Sequence, residues 1–338
     1  MKDRETGQLL VAKRQHADYN ESNRYNRHSR GTRRNGLLRD EQRNNAILVV
    51  ILTIIPAVGW GLVFLVMDIL LDSLAPLQIL ASRWMLAAVT ILILAALRVF
   101  PLQFSKENIG YLFLIGIVQA VLYPLLEIFG LSLTSASILS IFESLVPSFT
   151  VILGALFFHK KTDRQGVLSI LVVIAGVVIC TVFAPDFSAE GKILGYFLVL
   201  VSVIDSALYS QMVAKAGETV NALTITTALC LTGAVMHNGI VFAQGDGFET
   251  YRLLLSNWPL LGAIAFLSIG SSILCFTAYN KAMALARNPG LAANISGGLA
   301  TVVGAAAGIF IRHDTAGLYT VIGMIVILAG VALSTRKV

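Results

Sequence analysis

The chain has 338 residues, 56% of them hydrophobic and only 13% charged, with a formal net charge of +6. A soluble domain carries about 25% charged residues, and the apolar runs that recur from residue 46 onward leave no stretch for a soluble catalytic domain. The composition therefore points to an all-α polytopic protein of the cell (inner or plasma) membrane.

Residues 1–43 differ in chemistry from everything that follows. They hold eleven Lys and Arg against six acids, and their apolar content is low. The segment lacks the apolar core and small-residue cleavage site of a secretory signal. So little apolar surface cannot offset the entropy of ordering, so it reads as a disordered basic arm. Basic arms stay on the cytoplasmic side and lie well against anionic lipid, which is expected here in preference to nucleic acid.

Crossing a hydrocarbon core of about 30 Å takes roughly 20 apolar residues. Ten spans meet that length: Ala46 to Leu71, Pro76 to Leu97, Ile109 to Leu131, Ala136 to Phe158, Gly166 to Phe183, Ile193 to Val213, Leu223 to Ala243, Leu260 to Ala282, Leu291 to Ile311 and Leu318 to Ser334. With the arm inside, the inner links carry Arg98, Lys106, Lys160, Lys161, Arg164, Lys215, Lys281 and Arg287, and the C-terminus carries Arg336 and Lys337. The outer links carry only Lys192, Arg252 and Arg312. A miscount of one span would scramble this split, so ten spans with both termini cytoplasmic is the expected topology.

The fifth span contains Val173-Ile174-Ala175-Gly176-Val177 and the tenth Ile327-Leu328-Ala329-Gly330-Val331, 154 residues apart. That offset is five helices, an odd number, so the second copy must run through the membrane inverted. Inverted repeats are characteristic of secondary transporters, whose sites lie near the midplane between the halves. The expected organisation is therefore 1–43 as the arm, 44–185 as the first five-helix repeat and 186–338 as the second.

Several motifs in order resemble the EamA-like branch of the drug/metabolite transporter (DMT) superfamily. They are Gly59-Trp60-Gly61 with Phe64, Pro76 with Arg83, Phe129-Gly130-Leu131, Thr134-Ser135-Ala136-Ser137 running into Glu143-Ser144-Leu145-Val146-Pro147, and, in the second copy, Tyr279-Asn280-Lys281-Ala282-Met283 with Gly323 and Ala329-Gly330. The resemblance covers roughly residues 46 to 335. It implies a ten-helix carrier that exports amino acids or other small metabolites by alternating access. The chain departs from that pattern at Lys160, where the family often has glutamate, and at Asp314 in the matching place. Pro147 has no proline counterpart in Ile295-Ser296-Gly297-Gly298-Leu299.

Polar and aromatic residues inside the spans are the candidates for substrate binding or gating. Ionisable groups within a bilayer cost several kcal/mol by insertion scales and are kept when they pair or face a wet cavity. At about 1.5 Å per residue, Arg83 and Glu143 each lie about 10 Å below the outer edge, and Asp68 and Glu127 approach the same level. Two readings fit: a gate or coupling site whose carboxylate takes a proton, or a permanent Arg83 ion pair that fixes packing. Asp205 sits near the midplane, with His237 as the one basic group at comparable depth, and favours a wet cavity. Trp60, Tyr123, Tyr209 and Tyr279, like Phe64, fall within spans rather than at interface belts, which fits a cavity wall and equally fits core packing. Asn280 and Asn294 are candidates either for a polar substrate group or for hydrogen bonds between helices. Ala300, Gly304 and Gly308, four apart, form a packing stripe within a monomer or in a homodimer. Pro56 and Pro147 each remove a helix hydrogen bond.

No enzyme signature stands out. Val203-Ile204-Asp205-Ser206 lacks the Gly-x-Gly-Asp setting of a membrane aspartyl protease, and Gly270-Ser271-Ser272 lacks the Gly-x-Ser-Gly of a rhomboid-like one. No phosphate-binding loop appears. Cys180, Cys230 and Cys275 lie apart in apolar spans without metal or redox spacing. No cofactor or metal is expected. The expected partners are a small-molecule substrate, the lipid bilayer and a coupling proton. A sugar-phosphate or nucleotide-sugar exchanger and a non-transporting membrane scaffold remain as alternatives, and the single deep cation, Arg83, weighs against the exchanger.

Overall fold

The computed structural model describes residues 44–338 apart from 64, 68, 135, 160–161, 184–190, 312–316 and 336–338, together with the side chains of 136–138 and 140. The basic arm, Phe64, Asp68, Lys160 and Asp314 therefore lie outside the described residues. Contacts divide the chain into residues 1–47 and 48–338, and the packing described below is that of the second unit.

Every regular element among the described residues is helical. In chain order they are α1 (Asn44–Leu71) and α2 (Pro76–Ala96), then α3 (Ile109–Ser132), then α4 in two pieces (Ala136–Glu143 and Val146–Phe157), and α5 (Arg164–Val182). The second half has α6 (Ile193–Ala216), α7 (Ala222–Ala243), a short α8 (Gly247–Ser256), α9 (Trp258–Leu285), α10 (Pro289–Ile311) and α11 (Leu318–Thr335). Among the described residues nine of these are long and apolar enough to cross a membrane, and α4 is shorter and broken. Nine of the expected spans each match one of these long helices, and the fourth falls on the two pieces of α4.

The ends differ from the expected limits by a few residues because capping residues are polar and hydropathy does not register them. Asp163 accepts from Gly166 N at 2.8 Å, Asn221 from Thr224 N at 2.8 Å and Asn257 from Leu260 N at 3.3 Å. Each pairs an amide that the first helical turn leaves open. α8 is a departure from the expected outer link. Its buried positions are Gly247, Thr250 and Leu254, spaced at helical intervals, while Phe248 and Leu255 remain exposed. A window of membrane-spanning length passes over a helix of ten residues.

The two halves pack like against like. Their second helices, α2 and α7, form one broad crossing, their closing helices, α5 and α11, form another, and the fourth helices, α4 and α10, also meet. In addition α3 packs on α6, while Gly59 and Trp60 of α1 meet Cys275 and Phe276 of α9. The seam between α5 and α11 is made by glycine. A methyl group on Gly176 would stand 2.7 Å from Ile327 N and 2.9 Å from Gly323 O, and one on Gly330 would stand 2.8 Å from Val173 N. Small residues permit such an approach of two backbones, from which membrane helices gain dispersion energy. Ala300 of the small-residue stripe packs within the chain, its carbonyl lying 2.8 Å from where a Gly61 methyl would be. The outer surface is apolar, with Ile51, Leu92, Phe113, Leu156, Phe197 and Val235 exposed. Helices close their own backbone hydrogen bonds, which makes such a surface stable against lipid.

Candidate functional site

Two irregularities place the site. Both third helices, α3 and α9, contain a π-helical stretch, Ile117–Leu122 in one and Phe266–Cys275 in the other. A π turn pairs each residue with the fifth along instead of the fourth, and such turns often occur at functional sites. In α3 the stretch runs into Pro124, which has no N–H to return to the carbonyl of Ala120, four residues earlier. That carbonyl is instead 2.7 Å from His237 Nε2. A carbonyl only accepts, so His237 carries its proton on Nε2 and leaves Nδ1 as an acceptor. Asp205, for which His237 was the one expected basic partner, is therefore not paired with it.

The second irregularity is the break in α4. Pro147 cannot donate to the Glu143 carbonyl, so the helix stops at Glu143 and restarts at Val146. Glu143 thus ends one helical segment partway along α4. Opposite it, Tyr123 and Glu127 stand one turn apart on α3. The Tyr123 hydroxyl lies 3.2 Å from Glu127 Oε1 and 3.3 Å from Glu143 Oε1. The structure brings these three expected residues together.

Arg83, on α2, forms no pair with them. Among the described residues the ion pairs within 4 Å are Lys215–Glu218 and Arg252–Glu249, both exposed. The Arg83 guanidinium donates through Nε to Ser272 Oγ at 2.7 Å, approaches Ser271 Oγ at 3.4 Å and lies 5.1 Å over the Trp84 ring. Ser272 gives its own hydrogen to Leu267 O, five residues back along the π stretch, which leaves its lone pairs for Arg83. Glu127 remains within electrostatic reach of Arg83. Arg83, Tyr123, Glu127 and Glu143 are each partly buried between helices.

Aromatic rings join these charged groups. Trp60 lies 5.3 Å from Phe276 and 5.2 Å from Tyr279, Trp84 lies 5.9 Å from Phe276, and Tyr209 stacks on Tyr279 at 6.2 Å. Tyr279 is within electrostatic reach of Glu143. Hydrogen bonds fix the rings: Ser210 Oγ to Tyr279 OH at 2.7 Å, Tyr209 OH to Asn280 Oδ1, and Asn280 Nδ2 to Thr226 Oγ1 at 3.1 Å. Asn280 thus belongs to the support of this aromatic wall. Asp205 lies one turn before Tyr209 on the same face of α6, and its Oδ2 is buried with no hydrogen bond among the described residues. Asn294 is elsewhere, donating to Ser334 Oγ at 2.7 Å, which in turn donates to Ser169 Oγ at 2.8 Å. That chain ties α10, α11 and α5 together.

Sequence reasoning missed Ser271, Ser272, Phe276, Trp84 and Gln119. Gln119 had a visible signal, a polar residue within an apolar span, and its buried Oε1 has no partner among the described residues. The serines and Phe276 had none, because their placement depends on the π turn.

The EamA-like transporter family model matches the chain twice, over residues 47–182 and 193–336. An uncharacterized transporter of Archaeoglobus fulgidus is 24% identical over 82% of this chain and 95% of its own length. The uncharacterized transporter YcxC of Bacillus subtilis is 27% identical over 80% and 87%, and the protein PagO of Salmonella typhimurium is 24% identical over 70% and 77%. A solved crystal structure superposes with a TM-score of 0.71 at 14% identity, covering 85% of this chain and 96% of that one, a likeness of fold. Two family matches that together take in nearly all the helices, one on each half, agree with the like-against-like packing. The chain is a multi-pass membrane protein and belongs to the EamA-like transporter family.

Proposed function

We propose that the protein is a secondary transporter that exports small zwitterionic or amphipathic metabolites, amino acids among them, by alternating access. In this reading it crosses the cell membrane ten times as two inverted five-helix repeats, 44–185 and 186–338, with a basic arm at 1–43 and both termini cytoplasmic. Four features support that topology: the 154-residue offset between the Ala-Gly-Val motifs, the pairing of equivalent helices, the matched π stretches, and the cation-rich inner links. The broken α4 supplies the tenth crossing, because its two pieces together span 136–157.

The observation that carries the substrate reading is the separation of charge among neighbouring residues of α2, α3 and α4. Glu127 and Glu143 share Tyr123 on one side, and Arg83 is held by serines rather than by a carboxylate on the other. Had the three charges neutralised one another, a substrate would gain little by entering. Held apart, they offer a cation for a substrate carboxylate and a carboxylate for its ammonium. Trp60, Phe276 and Tyr279 supply an apolar wall between the two poles, where an aromatic face also favours a cation. A sugar phosphate needs more than one cation, and among the described residues Arg83 is the one cation at this site. A scaffold would have no use for charges kept apart inside a bilayer.

The test is export from cells lacking their own exporters, comparing the wild type with a Glu143→Gln, Asp205→Asn double variant at matched membrane levels. Each strain meets growth-limiting dipeptides, amino-acid analogues and dyes, and internal pools are read by mass spectrometry. The wild type is expected to lower at least one zwitterionic pool, and the variant is expected not to. Equal pools in both strains across the panel would remove the reading.

A further inference from the structure

We propose that Glu127, Tyr123 and Glu143 form one proton-binding site in which the tyrosine hydroxyl passes a single proton between the two carboxyl groups. This rests on the transport reading above and assigns Tyr123 a role there as a relay. The argument is a count of hydrogens. The Tyr123 oxygen stands 3.2 Å from Glu127 Oε1 and 3.3 Å from Glu143 Oε1, and a hydroxyl has one hydrogen to give. If both carboxyls are ionised, one hydrogen serves two acceptors, and two negative charges share a partly buried pocket with no cation within 4 Å among the described residues. Two carboxylates that share one hydrogen-bond donor disfavour each other's charge. One added proton completes the chain: a carboxyl O–H donates to the tyrosine oxygen, and the tyrosine O–H donates to the other carboxylate.

The proton rests on Glu143. That residue is the last of the segment Ala136–Glu143, at the negative end of a helix dipole, where an anion is disfavoured. Glu127 stands within the helical run Tyr123–Ser132 with no helix end beside it. Transfer is balanced. The Glu143 O–H bond breaks as a new bond forms to the tyrosine oxygen, while the original tyrosine O–H breaks and its proton joins Glu127. One proton has moved and the tyrosine is neutral at both ends of the step. The other titratable groups around the site are Arg83 from α2, Asp205 and Tyr209 from α6, Cys230 and His237 from α7, and Cys275 and Tyr279 from α9. His237 is turned to Ala120 and Tyr209 to Asn280, so neither competes for the relay. Because Glu143 borders the break in α4, reorienting the two pieces of that helix would carry it away from Tyr123. A substrate ammonium seeks the same carboxylates, so proton and substrate take turns, which is antiport.

The deciding experiment is infrared spectroscopy of the purified full-length protein in detergent at neutral pH, reading the carbonyl stretch of a protonated carboxyl group. The wild type is expected to show the band, Glu143→Gln to lose it, Tyr123→Phe to shift it through the lost hydrogen bond, and Asp205→Asn to keep it. Gel filtration confirms that each variant is folded. A band unchanged in both Glu127→Gln and Glu143→Gln, or no band in the wild type, would overturn the proposal. A second measurement uses tritiated phenylalanine in proteoliposomes. Whatever its exchange rate without a gradient, Tyr123→Phe is expected to lose at least tenfold of the acceleration by an imposed pH gradient, and equal acceleration in both proteins counts against the relay. If the wild type fails to move this probe, the substrate reading suffers and the infrared result still decides the relay.

Discussion

The two broad crossings between the halves, α2 with α7 and α5 with α11, occupy equivalent places and are built from opposite materials. At the α5–α11 seam the groups in contact are Gly176, Gly323, Gly330, Val173 and Ile327, and backbone meets backbone. At the α2–α7 crossing Gly233 makes room for the Trp84 ring instead, and Asn238 Nδ2 reaches the Ala81 carbonyl at 3.0 Å. Arg83, next to Trp84, leaves this crossing for Ser271 and Ser272 of α9. One crossing is a seam of close backbone approach and the other borders the cluster of charged and aromatic residues. The difference teaches that the repeat fixes where helices cross, while the residue facing the crossing decides whether the site there is structural or chemical.

The sharpest way to break this comparison is at the seam. Gly176→Leu places a side chain against Ile327 N and the Gly323 carbonyl, neither of which has a flexible end to yield. Overpacking of this kind costs about 3 kcal/mol or more when backbone must shift. The expected outcome is a large drop in melting temperature in detergent, or no folded protein. Gly110→Ala is the control, since nothing lies within 4 Å of a methyl group there. A seam that tolerated Gly176→Leu would mean that α5 and α11 are not held by close approach.

At the other crossing the largest effect falls on transport. Arg83→Ala removes the cation that would hold a substrate carboxylate through a charged hydrogen bond worth about 1.5–3 kcal/mol, and is expected to slow export by about ten- to a hundredfold. Arg83→Lys keeps the charge and loses the planar fork, so export should fall between the two. Equal export by Arg83→Ala and wild type would make this residue structural. Gly233→Ala comes next. Its methyl would stand 2.7 Å from Trp84 ring carbons, and a ring can shift where a backbone cannot. About 1 kcal/mol of stability should be lost, with export reduced severalfold because Trp84 carries the face over which Arg83 sits.

Much of this arrangement is legible in the sequence, and what is not has a physical reason. The crossings are legible because lipid demands long apolar runs, and the seam because Gly176 and Gly330 repeat in matching contexts. Glu127, Glu143 and Arg83 announce themselves as charges inside spans. Their pairing does not. Depth along each helix places all three at one level, but only the break at Pro147 and the π turns decide that Glu143 meets Tyr123 and that Arg83 meets serines. In the sequence Gly270-Ser271-Ser272 speaks against a protease and nothing more. A π turn adds one residue to a helix without changing its hydropathy, so no window of apolar content reveals it. The helix Gly247–Ser256 escapes for the opposite reason, since its period is present but its length is below a span.

Asn294 is a residue for which the sequence left two readings open, a substrate contact or a hydrogen bond between helices, and its substitution has the smallest expected effect. Buried polar residues in a bilayer suggest a substrate contact, yet here Asn294 Nδ2 bonds Ser334 Oγ, which bonds Ser169 Oγ. The chain crosses from α10 through α11 to α5, beside the Gly330 end of the seam, where the Ser169 carbonyl is 3.0 Å from a Gly330 methyl position. Interhelical hydrogen bonds in membranes average about 0.6 kcal/mol. Asn294→Ala should therefore lower the melting temperature slightly and leave the relative export of different substrates unchanged. If it alters that preference while melting stays constant, Asn294 touches the substrate in another state of the cycle, and the seam and the charged cluster are then one moving part rather than two.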